Sequence, residues 1–400
     1  MLRAYKYRIY PTQAQIVLLN KTFGCIRFLW NNNVFIFNSY NKETNPNPIY
    51  KTSTELRHEF EWMREVSASS IQQKETDFIK LKKSYFSKNN KIGRPNFKKK
   101  SNSQSFRLPN QKFRLEQNEI WLEKIGNIEI QLDRIPEKDS IYKSVTISKM
   151  VDNKYFASIL VDEDITPRFE STNKSVGIDL GLKDFVILSN SVKIVNPRWF
   201  RENQTKLNKA QKNLSRKKKG SRRREKCRLN VARIHTKISN QRKWFHHNLS
   251  LDLIRKYDFI GIEKLNVSEM LKNSKLSKSI SDAGWSQFIN FLKYKSIWNN
   301  KVVQEIDQFF PSSKLCSDCG SMNHNLKLDD RTWICKDCGV EHDRDENASI
   351  NIETEALRCF EHRELPMLYG HRVNVSQPEM VAVDNEMSEK FENLEFLGLQ

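Results

Sequence analysis

Polar and apolar residues alternate over residues 4–10, the period of a strand with one face turned inward. Pro11 and Thr12 then give a helix-start signal, and the apolar run Ile16, Val17, Leu18, Leu19 and Phe23 opens a helical stretch that continues to about Ser87. Phe78, Leu81, Tyr85 and Phe86 keep the helical spacing, while Thr44-Asn45-Pro46-Asn47-Pro48 interrupts it as a loop. From Phe106 to Val161 the period returns to two, in short runs at 113–115, 119–122, 128–132, 144–147 and 155–161. Such a series predicts a β-barrel-like unit. The strand at 4–10 can complete it, which leaves the helical residues as an insertion between its first and second strands.

A third unit begins near Lys174. Residues 176–188 read as two apolar strands around a glycine-bearing turn, the first ending on Asp179. Residues 201–243 hold 17 Lys/Arg against 2 Asp/Glu in a helical pattern interrupted at Lys219-Gly220-Ser221, which predicts two basic helices joined by a tight bend. Residues 258–265 form another apolar strand, carrying Glu263 at its end. A helix over 281–300 presents Trp285, Phe288, Phe291, Tyr294 and Trp298, aromatics expected in the core, and one more strand follows at 302–306. After Leu365 the periodicity is lost and residues 379–400 are acidic, so a mobile tail is expected there. The order strand, strand, basic helices, strand, helix, strand, helix is compatible with a ribonuclease-H-like sheet.

Composition narrows the function. With 400 residues and 38% hydrophobic content the chain can build several cores but not a membrane protein. Lys and Arg number 68 against 48 Asp and Glu, a net charge of +20 that attracts a polyanion. Nucleic acid is the expected partner, because the chain offers no basic amphipathic helix with a clean apolar face and a lipidation signal. The first residues lack the apolar run of a signal peptide, and the seven cysteines are not arranged as a disulfide framework. A cytoplasmic protein, nucleoid-associated when bound to DNA, is expected. Cys25, Cys227 and Cys359 stand singly and read as inert packing or surface thiols.

The other four cysteines form two C-x-x-C pairs, Cys316 with Cys319 and Cys335 with Cys338, each followed by a glycine. Two thiolates at that spacing can grip one tetrahedral ion from a knuckle turn, and the trailing glycine lets the backbone curl towards the sulfurs. Four filled positions predict a closed structural zinc site. Three acids carry a different signal: Asp179 and Glu263 end apolar strands, and Asp345 begins the expected helix at 345–352. Separated carboxylates in such places are what a two-metal phosphodiesterase centre requires, and hard oxygens suit Mg2+ or Mn2+. Residues 91–100 form a basic loop around Gly93 and Pro95, in which Arg94, Lys98 and Lys99 suit phosphates and Phe97 suits a base or sugar. The competing reading of that loop is a solvated linker.

These residues carry a resemblance. Gly177-Ile178-Asp179-Leu180-Gly181-Leu182-Lys183-Asp184-Phe185, Gly261-Ile262-Glu263-Lys264-Leu265, Ser281-Asp282-Ala283-Gly284-Trp285, Phe310-Pro311-Ser312-Ser313 ahead of the cysteines, and His342-Asp343-Arg344-Asp345-Glu346-Asn347-Ala348 resemble TnpB proteins of bacterial insertion sequences, compact relatives of type V CRISPR effectors. The resemblance is dense from about Lys174 to Ile352, and thinner at Tyr10-Pro11-Thr12-Gln13-Ala14-Gln15 and Gly93-Arg94-Pro95-Asn96-Phe97. It implies an α/β multidomain architecture: a wedge β-barrel (1–10 and 104–170), a helical recognition domain (11–103), a RuvC-like, ribonuclease-H-like nuclease (171–314 and 341–365), an inserted zinc ribbon that contacts target nucleic acid (315–340) and the acidic tail (366–400). It implies Asp179, Glu263 and Asp345 as the catalytic, magnesium-binding acids, with Asp343 as the alternative for the third. It further implies an RNA-guided DNA endonuclease, a monomer that binds a guide RNA from the transposon end and double-stranded target DNA beside a short motif. Tyr50 and Gln72 are the implied readers of that motif. Arg216, Lys217, Arg222 and Arg223 in the basic helices are further expected contacts.

Two other readings compete. A transposase or recombinase with the same triad would join strands, but it needs a bound transposon end, and no clear helix-turn-helix for such ends is legible, the N-terminal helices being the place where one could be disguised. A catalytically silent nucleic-acid-binding regulator would keep the fold without the chemistry, and here all three acids are present.

Overall fold

The computed structural model describes residues 1–41, 43–46, 48–87, 92–327 and 329–367, with side chains as far as residue 362. Most of the expected acidic tail, from residue 368 on, and Lys91 of the basic loop lie outside the described residues. The chain divides into two compact units, one over Met1–Asp164 and a second that starts at Ile165.

In the first unit, β1 (Leu2–Tyr10) hands over to α1 (Gln13–Asn38) through a capping box. The Thr12 hydroxyl accepts from the Gln15 amide while the Gln15 side chain accepts from the Thr12 amide, which satisfies two otherwise orphaned donors. Thr52 and Glu55 repeat the device for α2 (Ser53–Glu59), and α3 (Ala68–Tyr85) follows. Next come β2 (Gln104–Pro109), a 3-10 turn (Asn110–Lys112), β3 (Phe113–Leu115), β4 (Glu119–Leu122), β5 (Gly126–Gln131), β6 (Ile141–Lys149) and β7 (Tyr155–Asp162).

These strands form one sheet in the order β2-β6-β7-β1-β5-β4-β3. Laid flat, the edge strands of seven would stand about 29 Å apart at about 4.8 Å per neighbour. Here the edges, β2 and β3, are joined by only three residues, which reach at most about 14 Å. The sheet therefore curls round into a nearly closed barrel, filled by Tyr7, Ile9, Leu108, Ile120, Ile128, Val145, Ile147 and Ile159 and capped by Phe23 and Leu29 of α1. The β1 strand lies between β7 and β5, so α1 to α3 occupy the connection from β1 to β2. The pattern of short runs missed β2, whose alternation is brief and ends on Pro109; proline is tolerated there because β2 is an edge.

The second unit contains β8 (Ser175–Asp179), β9 (Asp184–Leu188), β10 (Lys193–Val195), α4 (Trp199–Ser215), α5 (Arg222–Lys256), β11 (Phe259–Glu263), α6 (Val267–Met270), α7 (Ser277–Ala283), α8 (Trp285–Trp298), β12 (Val302–Ile306), β13 (Thr332–Ile334), β14 (Glu341–Asp343) and α9 (Arg344–Met367). Its main sheet runs β10-β9-β8-β11-β12, antiparallel from β10 to β8 and parallel from β8 through β11 to β12. One group of buried side chains joins Val176, Ile178, Ile260 and Ile262 to Leu253 of α5 and to Trp285, Phe288 and Leu292 of α8. Another joins Phe259 and Ile306 to Ile352 and Ala356 of α9. The helix expected over 281–300 is in fact two, because Gly284 adopts φ +67° and turns the chain between α7 and α8. Short β10 and α6 also escaped the sequence pattern, being too brief to show a period. Among the described residues no helix is long and apolar enough to cross a membrane.

Candidate active site and metal centre

Two glycines explain how the acids come together. Gly177 and Gly261 are cross-strand partners in the parallel pair β8–β11. A Cβ on Gly177 would stand 2.0 Å from the Ser349 carbonyl oxygen, and one on Gly261 would stand 2.7 Å from the Ala356 Cβ, so α9 lies directly on both strands with no room for side chains. Side chains two residues apart on a strand share a face. Asp179 and Glu263 each follow their glycine by two residues and therefore sit on the face that α9 covers, at the carboxyl ends of neighbouring parallel strands. Asp345 precedes Ser349 by one helical turn. About 6 Å of helix thus matches about 6.6 Å of strand, and Asp345 arrives at the level of the other two.

The electrostatics record the meeting. The Asp179 carboxyl has its pKa pushed up to about 7, first by burial and then by the charges of Glu263 and Asp345, with Arg344 opposing. Burial also raises Glu263, against a hydrogen bond of 2.6 Å donated by the Ser312 hydroxyl. Asp345 is held by two arginines, Arg331 Nη1 at 2.7 Å and Arg344 Nε at 3.2 Å. The neighbouring Asp343 does other work: one of its oxygens accepts from the amides of Asp345 and Glu346 at the start of α9, and the other binds Lys193 Nζ at 2.8 Å. Those partners hold its pKa down despite burial.

As a donor set for a divalent cation, three carboxylates with hard oxygens and like charges close enough to disfavour ionisation of Asp179 fit Mg2+ or Mn2+. The cysteine group fits a softer ion. Cys316, Cys319, Cys335 and Cys338 bring their sulfurs within 4.8 Å of one another, and two of the separations are 3.6 Å. A tetrahedral zinc with bonds of about 2.3 Å wants sulfurs about 3.8 Å apart, so this cluster can bind a metal such as zinc. The two knuckles are built alike: Gly320 and Gly339, at φ +75° and +74°, return their amides to the Cys316 and Cys335 carbonyls at 2.9 Å each. His342 Nε2 lies 3.1 Å from Cys316 Sγ, its ring against Trp333. By contrast, the three acids do not gather their oxygens within 4.8 Å as the sulfurs do.

The expected nucleic-acid residues fall into three places. In the first unit the loop at 92–100 is clamped along α1, where Trp30 Nε1 donates to the Asn96 carbonyl (3.0 Å) and Asn31 exchanges two hydrogen bonds with Lys98. It is therefore not a free linker, and it keeps Arg94, Phe97 and Lys99 exposed. The Lys98 ammonium lies 4.1 Å from the centre of the Trp30 ring, its pKa drawn down to about 8 by burial and then by Lys74. Tyr50 is half-buried against Phe78 with Lys82 over its ring, in a small aromatic core; Gln72 is exposed on α3. In the second unit Arg216, Lys217, Arg222 and Arg223 are exposed around the bend between α4 and α5, which Arg224 fixes by donating to the Leu214 and Lys217 carbonyls. Cys25 is buried with its thiol pushed up to about 11, as suits a packing residue.

Sequence reasoning missed Arg331, Arg344, Ser312, Asn347 and Asn351. Ser312, Arg344 and Asn347 lie inside the motifs that carry the resemblance, but only their contacts reveal what they hold.

Known proteins resemble this chain over most of its length. The family described as "Probable transposase" (OrfB_IS605) matches residues 158–274, and the "Cas12f1-like, TNB domain" family matches 285–352. A Streptomyces pristinaespiralis protein named "Putative RNA-guided DNA endonuclease" is 37% identical over 362 residues, 89% of each chain. The chain belongs to the TnpB family. An Escherichia coli K12 relative, "Putative RNA-guided DNA endonuclease InsQ", is 27% identical over 88% of this TnpB chain and 91% of its own. A solved structure titled "Cryo-EM structure of the Cas12f1-sgRNA-target DNA complex" aligns with 88% of the chain and 99% of its own at 15% identity and a TM-score of 0.34. A third family, "Helix-turn-helix domain", matches residues 1–34. In this TnpB protein those residues are β1 and most of the single helix α1, so the geometry there is strand and helix.

Proposed function

We propose that this TnpB protein is an RNA-guided DNA endonuclease that hydrolyses phosphodiesters at a RuvC-like centre formed by Asp179, Glu263 and Asp345. The observation that carries the reading is the meeting of three acids, distant in sequence, at one end of a parallel strand pair, where burial and then the charges of Glu263 and Asp345 raise the Asp179 pKa. The sheet order, with three antiparallel strands followed by two parallel ones, supports a ribonuclease-H-like core. Asp345 is preferred to Asp343 because its charge reaches Asp179, whereas Asp343 caps α9.

Bound Mg2+ or Mn2+ would supply an activated water and stabilise the leaving oxygen. The protein's part is to hold the carboxylates, keep them desolvated and orient them through Ser312, Arg331 and Arg344. Zinc at the four cysteines would be structural. The relatives' names support a guide RNA and a DNA target as partners. In our proposal the RNA is taken from the transposon end and the target is cut beside a short motif. Base pairing would read the sequence while the basic loop and the α4–α5 bend hold backbone phosphates. We take the protein to act as a monomer in the cytoplasm, on nucleoid DNA.

The test is to purify the protein from cells carrying its native locus, sequence the bound RNA, and add magnesium with a matched DNA duplex. Guide-dependent cutting lost in Asp179→Ala and Glu263→Ala, with RNA retained, is the expected result. Nicking and joining only at transposon ends would favour the transposase reading that the "Probable transposase" description suggests. Bound RNA without any cutting would favour a silent regulator.

A further inference from the structure

Glu263 is tied to the first cysteine knuckle by a continuous chain of hydrogen bonds. The Ser312 hydroxyl, on a buried residue, donates to Glu263 Oε1 at 2.6 Å. The Ser312 carbonyl in turn accepts from Asn351 Nδ2 at 2.8 Å and from Asn347 Nδ2 at 3.4 Å. Both amides also reach the Leu315 carbonyl, at 2.6 and 2.7 Å. Asn347 closes the chain by accepting from the amide of Ser317, beside Cys316, at 2.9 Å.

Asn347 and Asn351 are one turn apart on α9 and only 1% and 5% exposed. Buried amides cost free energy unless paired, and an apolar side chain would serve packing alone better. Here their side-chain hydrogen bonds go to one short segment, 312–317, that runs from the Glu263 contact through the first cysteine. Pro311 stiffens its entry, and Lys314 and Leu315 return their amides to the Pro311 carbonyl. The segment is thus over-determined at both ends, and α9, which also carries Asp345, sets its height.

We propose that Ser312, Asn347 and Asn351 form a strut that positions Glu263 for metal by reference to the zinc knuckle, with Ser312 and Asn347 as positioning residues. The inference rests on Glu263 being a metal ligand. A carboxylate left to rotate must be ordered when the ion binds, whereas one already held through Oε1 by Ser312 has less freedom to lose. Groups that orient metal ligands in this way typically govern affinity by about 10- to 100-fold.

The experiment measures Mn2+ binding to the full-length, zinc-loaded protein by electron paramagnetic resonance, beside zinc content, thermal midpoint and the magnesium dependence of cleavage. Ser312→Ala is expected to weaken Mn2+ by about tenfold or more and to raise the half-saturating magnesium by a similar factor, with zinc content and midpoint near wild type. Ser312→Thr, which keeps the hydroxyl, should restore both. Asn347→Ser should weaken Mn2+ in the same direction with zinc retained, and it serves as the reading if Ser312→Ala does not fold. Glu263→Gln and Asp179→Ala separate the two levels. If they lose Mn2+ and neither Ser312→Ala nor Asn347→Ser does, the strut is overturned and the metal centre stands; if they bind Mn2+ normally, both fall.

Discussion

The two candidate metal centres of the second unit are built in opposite ways. The cysteine cluster draws all its donors from residues 316–338, on two copies of one knuckle turn, and its sulfurs are gathered within 4.8 Å by local backbone geometry. The acidic centre draws its donors from residues 179, 263 and 345, on two strands and a helix, and it exists only while α9 lies against β8 and β11. A local grip can be read from spacing and dismantled one residue at a time. An assembled centre depends on residues that bear no chemistry, of which Gly177 and Gly261 are the clearest.

The largest effect should therefore come from a methyl group on a residue that bears no chemistry. Gly177→Ala places a Cβ against the Ser349 carbonyl, with backbone on both sides, and should destabilise the second unit by about 3 kcal/mol or more and abolish cleavage. Denaturant unfolding together with a cleavage assay checks it; a stable, active variant would mean that α9 does not depend on that close approach.

Cys335→Ser should come next, removing bound zinc and lowering the thermal midpoint, because a structural ion contributes folding energy. Zinc content and calorimetry decide this, and a zinc-free variant as stable as the parent would refute it. Through Asn347 and Ser312 the same variant should also loosen Glu263, so the local centre disturbs the assembled one.

A smaller effect tests the charge of the acidic centre. Asp179 has its folded pKa raised to about 7, above the unfolded value of about 3.8. The native state then binds the extra proton between those values, so without divalent ions stability falls as pH rises through that window. Asp179→Asn should raise the thermal midpoint of metal-free protein at pH 8, lose that advantage towards pH 4, and cut no DNA. A midpoint below that of the parent at pH 8 would show that ionised Asp179 is not a burden in the fold.

The smallest effect belongs to the exposed bend. Arg222→Ala or Arg223→Ala should weaken nucleic-acid binding modestly and reduce the salt dependence by about one counterion, leaving cleavage at saturating guide intact. Filter binding at several salt concentrations measures it, and an unchanged slope would remove that residue from the interface.

Much of this was legible in advance, for physical reasons. Alternation found β1 and the barrel strands because one buried face imposes a period of two, and a helical pattern within a basic run found α4 and α5. The three-residue β10, where Ile194 and Val195 are adjacent, shows no alternation, and β2 was masked by its terminal proline. Gly284 could be read as a residue but not as the αL hinge that divides α7 from α8. The acids stood out by their positions on two strand ends and a helix start, whereas Ser312, Asn347, Arg331 and Arg344 look like ordinary polar residues until their partners are known.

What the sequence determines alone is whatever depends on neighbours along the chain: the period of each strand and helix, the capping boxes at Thr12 and Thr52, and the paired knuckles with their trailing glycines. What only the tertiary structure decides is which distant groups share a space. It separates Asp345 from Asp343 by what each carboxylate touches, turns two glycines into the bed of a helix, and sets Glu263 at one end of a hydrogen-bonded strut, because burial and like-charge repulsion arise only after the strands and α9 have packed.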